Sequence, residues 1–262
     1  MTLEVDLETA ESAGDKVNGI ASMYRGRGAV LYHSIVQGDR SELREILHAV
    51  GHDAGRILEL AAGSGRITLP LLRFADEVVA VDNSPELLEI LVREAQMLQA
   101  GAIADRLTAV LGDVLTVSLG GSFDVVVLGT TSISLFDEDQ RHRLLTAVRG
   151  WLSPDGTFLI SLRTVPIRAG AVVVHRISED LQLVETVSED GRRLTARLTE
   201  TANDQPVGQY SVSTYVITPD ELRAELADTG LTVVRSSEIG SGRRATSVGE
   251  YCVMVTKGSS VR

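Results

Sequence analysis

Residues 56–65, RILELAAGSG, decide the fold that this sequence predicts. The apolar residues of Arg56–Leu60 predict a short buried strand, Gly63-Ser64-Gly65 follows at once, and Ile67–Phe74 has the pattern of a helix. Glycines between a strand and a helix let the chain turn tightly and let a ligand approach the backbone. The stretch therefore predicts a ligand-binding loop at the carboxyl end of a strand.

The same alternation of strand and helix continues on the C-terminal side of this loop. Further strands are predicted at 77–81, 107–111, 123–128 and 157–162, with helical patterns at 83–92 and 138–152. Alternation over about 110 residues predicts a mostly parallel sheet covered by helices on both faces. With two more strands at 231–234 and 251–256, the expected fold is α/β and Rossmann-like, with a seven-stranded sheet.

The pattern changes after Arg163. Segments 172–175, 181–187, 194–199 and 210–217 are β-rich, Glu189–Arg192 is a hairpin turn, and no helical pattern separates them. We therefore expect an antiparallel β insertion over 164–217, before the helix start at Thr218-Pro219-Asp220-Glu221. The expected organisation is an N-terminal helical lead at 1–50, a Rossmann-like domain at 51–163 and 218–262, and the insertion as a substrate cap.

The composition restricts which binding partners and which cellular location we expect for this protein. The chain has 262 residues and a formal net charge of −11, which disfavours nucleic acid and favours cationic molecules such as amines. Cys252 is the only cysteine, so an intramolecular disulfide is excluded, and we expect it to be a buried strand residue. The sequence has neither a signal peptide pattern nor a membrane-span pattern, so we expect a cytoplasmic protein that does not bind membranes.

Asp82 follows the second strand directly, where a carboxylate can accept hydrogen bonds from both hydroxyls of a ribose. This role is common to several nucleotide-binding classes, so Asp82 alone leaves an oxidoreductase open. An oxidoreductase would need a Gly-x-Gly-x-x-Gly loop and a catalytic acid–base pair, and the sequence has neither clearly.

The motif series as a whole resembles that of class I S-adenosylmethionine-dependent methyltransferases. It comprises Glu59–Gly65, Asp82, Gly112-Asp113-Val114 and Asp124–Ser132. The resemblance implies S-adenosylmethionine as cofactor and S-adenosylhomocysteine as product. It assigns cofactor contacts to Glu59, Ala61, Gly63, Gly65, Asp82, Asn83, Asp113, Val114, Leu128 and Gly129, and substrate contacts to Thr130, Thr131 and Ser132. The family often has Gly at the position of Ala61, and Ala fits there if φ is negative.

The N-terminal lead adds a narrower resemblance. Leu31-Tyr32 and the following helix are similar to the lead of small-molecule amine N-methyltransferases, which implies that Tyr32 contacts the cofactor and that the insertion caps the substrate. Aminosugar N-methyltransferases have a histidine near the position of Leu135, which puts an aminosugar acceptor in doubt.

A closer similarity is to the methyltransferases of daptide-type ribosomal peptide pathways. It is carried by Leu31-Tyr32-His33, Asp39–Glu42, Leu58–Pro70 and Val127–Leu135. It implies N,N-dimethylation of a terminal amine of a modified peptide, in natural-product biosynthesis.

Candidate catalytic residues follow from amine chemistry. A primary ammonium must lose its proton before its nitrogen attacks the methyl group. Desolvation lowers the pKa of the ammonium, so a dedicated base is not required. If a base acts, His33 and the insertion residue His175 are candidates. Tyr24, in the glycine-rich stretch Met23–Gly28 that predicts a loop, is expected to close over the substrate as a lid residue.

Other polar residues are weaker candidates. Arg25 and Arg27 could hold a peptide carboxylate or carbonyl, and Tyr210 and Tyr215 could belong to the cap. No His/Asp cluster has metal-ligand spacing, so we expect no metal.

Several alternatives stay open from the sequence. The domain could hold S-adenosylmethionine without catalysis, or the acceptor could be an aminosugar, a hydroxyl or a carbon atom. The expected partner is an amine-bearing peptide or small molecule, and a homodimer stays open.

Overall fold

The computed structural model describes residues 2–5, 16–17, 20–98, 104–164, 168–203, 205–239 and 250–258. The strands of this part are β1 (Thr2–Val5), β2 (Lys16–Val17), β3 (Ile20–Ser22), β4 (Ala54–Leu60), β5 (Ala75–Asp82), β6 (Leu107–Leu111), β7 (Phe123–Leu128), β8 (Leu152–Thr164), β9 (Val172–Arg176), β10 (Leu181–Val187), β11 (Arg193–Ala202), β12 (Gln205–Tyr215), β13 (Leu231–Ile239) and β14 (Glu250–Gly258). The helices are α1 (Gly26–Val36), α2 (Leu43–Val50), α3 (Thr68–Leu71), α4 (Pro85–Met97), α5 (Glu138–Trp151) and α6 (Pro219–Asp228), with a 3₁₀ turn at Ser132–Leu135.

The larger sheet has the order β1-β6-β5-β4-β7-β8-β14-β13 within the described residues. Its strands pair in parallel from β1 to β8, whereas β14 is antiparallel to both of its neighbours. The predicted Rossmann-like fold is confirmed. The chain winds from β4 toward β6 on one side and continues from β7 on the other, so the switch point lies between β4 and β7, where such sheets bind ligands.

Alternating apolar side chains hold this sheet between two layers. In β4, Leu58 and Leu60 pack into one core cluster with helices α5 and α6, whereas Ile57 packs into the other with α2 and α4. All three are completely buried. Because each face of the sheet is covered, the carboxyl edge is the part of β4 and β7 that is left for a ligand.

Helix starts follow the predicted capping chemistry. Ser84 accepts a hydrogen bond from the N–H of Leu87 at the start of α4, with Pro85 in the first turn. Thr218 and Glu221 form a reciprocal capping box on α6, as their spacing predicts. These caps fix where each helix leaves the carboxyl edge of the sheet.

The smaller sheet has the order β2-β3-β12-β11-β10-β9 in the described part of the chain. Strands β9 to β12 form the predicted antiparallel insertion. Two N-terminal strands join it, because β3 pairs in parallel with β12, with Ala21 opposite Tyr210 and Ser22 opposite Ser211. The N-terminal segment is therefore part of the second sheet.

Three local predictions were wrong. Residues 23–28, predicted as a loop, contain the first turn of α1, and Gly28 is required there because a Cβ would lie 2.4 Å from the Ser22 carbonyl oxygen. The helix predicted at 67–74 is only the four residues Thr68–Leu71. Residues 2–5, assigned from the sequence to the N-terminal helical lead, form an eighth strand on the edge of the larger sheet. Such pairing depends on a distant strand edge that local sequence does not show.

No helix in the described ranges is both long enough and apolar enough to cross a membrane.

Candidate active site

Two cavities meet at the carboxyl edge of the larger sheet. The inner cavity, of about 100 Å³, lies against the glycine-rich loop and the ends of β5 and β6. Its walls include Tyr24, Tyr32, Ala61, Gly63, Asp82, Asn83, Leu87, Gly112, Val114, Ser132 and Leu135. Five of the ten cofactor residues assigned from the motif series line this cavity, namely Ala61, Gly63, Asp82, Asn83 and Val114. Tyr32 and the three residues assigned to the substrate, Thr130, Thr131 and Ser132, line it as well.

The outer cavity, of about 400 Å³, lies between the two sheets. Its second-sheet wall is largely aliphatic and includes Leu183, Leu194, Ala196 and Val212. The opposite side carries polar groups, among them Asp39, Arg163, Thr164 and Tyr251.

Five uncharged residues line both cavities. They are Tyr24, Tyr32, Thr130, Thr131 and Thr214. We call this set the shared wall. A group bound in the inner cavity and a second molecule in the outer cavity would meet at these side chains.

Asp82 organises the inner cavity through its backbone partners. Its Oδ2 accepts a hydrogen bond from Gly63 N–H at 2.7 Å, and its Oδ1 accepts one from Ser84 N–H at 2.8 Å. Burial raises the pKa of Asp82, and these backbone hydrogen bonds act in the opposite direction. The carboxylate thus joins the end of β5 to the glycine-rich loop.

The glycine-rich loop turns through left-handed backbone. Gly63 has φ of 57°, and Ala61 has φ of 52°. The expectation that Ala61 needs no positive φ was therefore wrong. A Cβ at positive φ costs about 1 kcal/mol, so the chain accepts backbone strain at Ala61.

Tyr24 and Tyr32 form an edge-to-face pair above the inner cavity, with ring centroids 5.0 Å apart. Burial raises the pKa of Tyr24 well above its usual value and the pKa of Tyr32 to about 12. Both phenols are therefore neutral near pH 7. The Ser84 hydroxyl donates a hydrogen bond to the Tyr24 carbonyl at 2.7 Å, which fixes this part of the chain over the cavity.

Glu59 is buried one layer behind the inner cavity. It is 2% exposed, and its Oε2 accepts a hydrogen bond from the Thr68 hydroxyl at 2.5 Å. Burial raises the pKa of Glu59 to about 8, against the opposing effects of Thr68 and Arg66. The side chain is therefore neutral at pH 7 unless a cation approaches it.

Four other predicted cofactor residues are placed off the cavity wall. Leu128 is completely buried in the core, and Asp113 accepts a hydrogen bond from Leu115 N–H in the turn after β6. The other two are glycines needed for packing: a Cβ on Gly65 would lie 2.3 Å from Leu91 Cδ1, and one on Gly129 would lie 2.2 Å from Ile67 Cδ1. These positions shape the site from behind.

His33 points away from the shared wall. It lines a third cavity, of about 230 Å³, with Arg40, Ser64 and Glu94. Its Nδ1 is 2.9 Å from the Ser64 hydroxyl oxygen. Because His33 lies in neither the inner nor the outer cavity, we do not carry it forward as a base.

Arg163 of β8 and two residues of the second sheet, Glu185 and His175, form a charged cluster beside the outer cavity, of which the sequence analysis named only His175. Arg163 Nη1 and Nη2 donate to the two oxygens of Glu185 at 2.5 and 3.0 Å, and His175 Nε2 is 3.1 Å from Glu185 Oε2. Although burial alone would raise it, the pKa of Glu185 is lowered by these two partners. The strand pattern gave no signal for this pairing between β8 and β10.

The remaining candidates have structural partners. Arg25 is 3.8 Å from Glu86 and Arg27 is paired with Glu200, so neither is placed as a free anion site. Tyr215 lines the outer cavity, whereas Tyr210 packs in the core of the second sheet. Cys252 is buried, as expected.

Within the described residues, no group of three or more His, Cys, Asp or Glu side chains is arranged to hold a metal ion.

Comparison with known families identifies the central part of the chain. Residues 57–156 match the family described as "Methyltransferase domain". The matched segment runs from β4 to the turn in β8 and so contains the loops that build the inner cavity. A search of curated proteins gives no significant match.

Three solved structures that are similar to this chain are methyltransferases. A glycopeptide N-methyltransferase, MtfA, in complex with S-adenosylmethionine is 27% identical, with a TM-score of 0.60 over 82% of this chain and 92% of that one. An S-adenosylmethionine-dependent methyltransferase from Clostridium acetobutylicum is 14% identical, with a TM-score of 0.71 over 89% and 98%. An amino pentose methyltransferase from Micromonospora echinaspora is 19% identical, with a TM-score of 0.63 over 86% and 96%.

Proposed function

We propose that this protein, an S-adenosylmethionine-dependent methyltransferase by its matched domain and fold, is an N-methyltransferase that dimethylates the terminal amine of a modified ribosomal peptide. The observation that carries the proposal is the shared wall: an outer cavity with one largely aliphatic wall adjoins the inner cavity only across uncharged side chains. This arrangement suits a neutral amine on an aliphatic body.

We assign the inner cavity to the cofactor, because its residues fit the parts of that molecule. The Asp82 carboxylate would accept hydrogen bonds from the ribose hydroxyls, and Gly112 and Val114 would flank the adenine. When bound, S-adenosylmethionine supplies a sulfonium methyl group that needs no further activation. The work left to the protein is to position the acceptor and exclude water.

The shared wall supports amine chemistry without a general base. Tyr24 and Tyr32 are neutral phenols, so neither is a phenolate that could remove a proton near pH 7. The aliphatic part of the second-sheet wall, Leu183, Leu194, Ala196 and Val212, desolvates an ammonium placed against it and so favours its neutral form. The hydroxyls of Thr130 and Thr131 can then accept N–H hydrogen bonds, which would direct the nitrogen lone pair toward the inner cavity.

The outer wall favours a peptide with an aliphatic end over an aminosugar. A sugar would place its hydroxyls against Leu183, Leu194, Ala196 and Val212, where they would lose hydrogen bonds to water without replacement. Leu135 lies on the inner cavity where aminosugar enzymes have a histidine. The similarity to a glycopeptide N-methyltransferase also supports an amine on a peptide.

The test is mass spectrometry of the purified protein incubated with S-adenosylmethionine and one of two acceptors. One acceptor is a peptide with a free aliphatic terminal amine, and the other is a free aminosugar. We expect two methyl increments on the peptide, none on the sugar, and none with Asp82→Ala. Methylation of the sugar alone would favour the aminosugar alternative, and no transfer to either would overturn the acceptor assignment.

A further inference from the structure

We propose that Glu42 and Arg66 are positioning residues that hold Thr130 in the shared wall, and through it the acceptor nitrogen. The inference rests on the proposed place of methyl transfer at the shared wall. It assigns a role to a buried ion pair that touches neither of the two cavities.

The first observation is an unfavourable backbone at the shared wall. Thr130 has φ of 55° and Thr131 has φ of 58°. Two consecutive β-branched residues in the left-handed region are rare, and such a conformation persists only when its surroundings impose it. Something outside this turn must therefore hold it.

Glu42 and Arg66 supply that constraint at Thr130. Glu42 Oε1 accepts a hydrogen bond from Thr130 N–H at 2.8 Å, and Arg66 Nη2 donates to Thr130 Oγ1 at 2.7 Å. Arg66 is also paired with Glu42, and its Nη1 donates to the Asp39 carbonyl at 3.1 Å. The two members of the ion pair thus fix different parts of Thr130: Glu42 holds its backbone N–H, and Arg66 holds its hydroxyl.

This pair is buried at a cost in hydrogen bonding. The side chains of Glu42 and Arg66 are 1% and 8% exposed. Among the described residues, neither Glu42 Oε2 nor Arg66 Nε has a hydrogen-bond partner. A buried ion pair with unsatisfied atoms contributes little to stability compared with apolar packing. Holding the left-handed conformation of Thr130 explains the ion pair better than a contribution to stability does.

The pair also links three segments that approach the site separately. Glu42 immediately precedes α2, Arg66 immediately follows the glycine-rich loop, and Thr130 follows β7. Neither charged residue lines the inner or the outer cavity, although Arg66 lines the third cavity beside His33. Thr130 is the shared-wall residue that both side chains contact directly, so we place their effect on methyl transfer there.

The experiment is a double-mutant cycle on the full chain with Arg66→Met, Thr130→Val and both together. Thr130→Val keeps the shape of the side chain and removes the oxygen that Arg66 contacts. We expect each single variant to lower kcat about tenfold and the double variant to be no slower than either single one. The dissociation constant for S-adenosylmethionine should change less than kcat does. Thr130→Ser, which retains the hydroxyl, should keep more activity than Thr130→Val.

Arg141→Met is the matched control. Arg141 is a buried arginine paired with Glu225 at 2.6 Å between α5 and α6, and it lines neither cavity. It should lower the melting temperature and leave kcat of the folded enzyme unchanged. A purely structural role for Arg66 predicts the same behaviour for Arg66→Met, and that result would overturn the proposal. Multiplicative losses in the double variant would overturn it as well.

Hydrogen exchange tests the positioning role of Glu42 and Arg66 independently of the acceptor assignment. Peptides that cover 130–134 should exchange faster in Arg66→Met and Glu42→Gln than in the wild type, whereas Arg141→Met should leave them unchanged. This measurement needs no acceptor. Unchanged exchange would overturn the positioning role, and failure of peptide methylation alone would overturn only the acceptor assignment.

Discussion

Asp82 Oδ2 accepts a hydrogen bond from the backbone N–H of Gly63 at 2.7 Å, so one carboxylate both ends β5 and holds the glycine-rich loop. Its other oxygen accepts the N–H of Ser84 at the start of α4. The inner cavity therefore depends on a group that two separate backbone segments share.

Asp82→Asn is expected to weaken S-adenosylmethionine binding by about 10- to 100-fold. The amide oxygen can still accept one backbone N–H, but the NH₂ group then faces the other backbone N–H and that hydrogen bond is lost. Hydrogen bonds to a charged group contribute about 1.5–3 kcal/mol. Isothermal titration calorimetry measures the change. Asp124→Asn is the control, because Asp124 also accepts a backbone N–H, from Arg56 at 2.9 Å, at the opposite end of the sheet. Equal weakening by both variants would contradict a specific role for Asp82.

Glu59 should make the stability of the ligand-free protein fall as pH rises. An unfolded glutamate releases its proton near pH 4.3, whereas burial holds the pKa of Glu59 at about 8. Between these values the folded state binds more protons, so its stability is highest at the acid end and declines by at most about 1.4 kcal/mol per pH unit until about pH 8.

Glu59→Gln should remove this contribution, because the amide does not titrate. Melting temperatures of both proteins between pH 5 and pH 9 give the difference in slope. Glu77→Gln serves as the control, since Glu77 lies on the neighbouring strand with its side chain 39% exposed. If wild type and Glu59→Gln lose stability in parallel, the raised pKa of Glu59 is refuted.

Gly65→Ala is expected to destabilise the fold by about 1–3 kcal/mol. The residue has φ of 88°, and the new Cβ would lie 2.3 Å from Leu91 Cδ1. Chemical denaturation measures the loss. Gly150→Ala in α5, where a Cβ meets nothing within 4 Å, should instead be neutral or stabilising by about 0.5 kcal/mol. A stable Gly65→Ala variant would mean that α4 can move away from the loop.

Ala196→Phe tests the outer cavity as the acceptor site. The new ring would fill space between the sheets, so kcat/KM for the peptide should fall at least about tenfold while the affinity for S-adenosylmethionine is retained. Ala202→Phe places the same side chain at an exposed position at the end of the same strand, β11, and should behave as wild type. Unimpaired peptide methylation by Ala196→Phe would place the acceptor elsewhere.

The sequence predicted the larger sheet well because its signals are local. The strand and glycine-rich loop at 56–65 and the polar residues after each strand depend on short-range periodicity and turn chemistry. Parallel strands then bring Asp82, Gly112 and Thr130 to one edge without further information.

The parts that were missed depend on contacts between distant segments. Glu42 and Thr130 are 88 residues apart, and Arg163 and Glu185 join different sheets. Arg66 directly follows the glycine-rich loop, and that adjacency was the one signal for it in the sequence. No local pattern predicts which carboxylate a buried arginine will pair with.

The sequence by itself thus determined a Rossmann-like domain and the acid at the end of β5, because apolar periodicity and glycine turns act over a few residues. Only the tertiary structure decided that the N-terminal strands β2 and β3 join the second sheet, that His33 lies off the site, and that Thr130 is held in a left-handed conformation. Those outcomes are set by which edges, cavities and charges become neighbours when the two sheets pack.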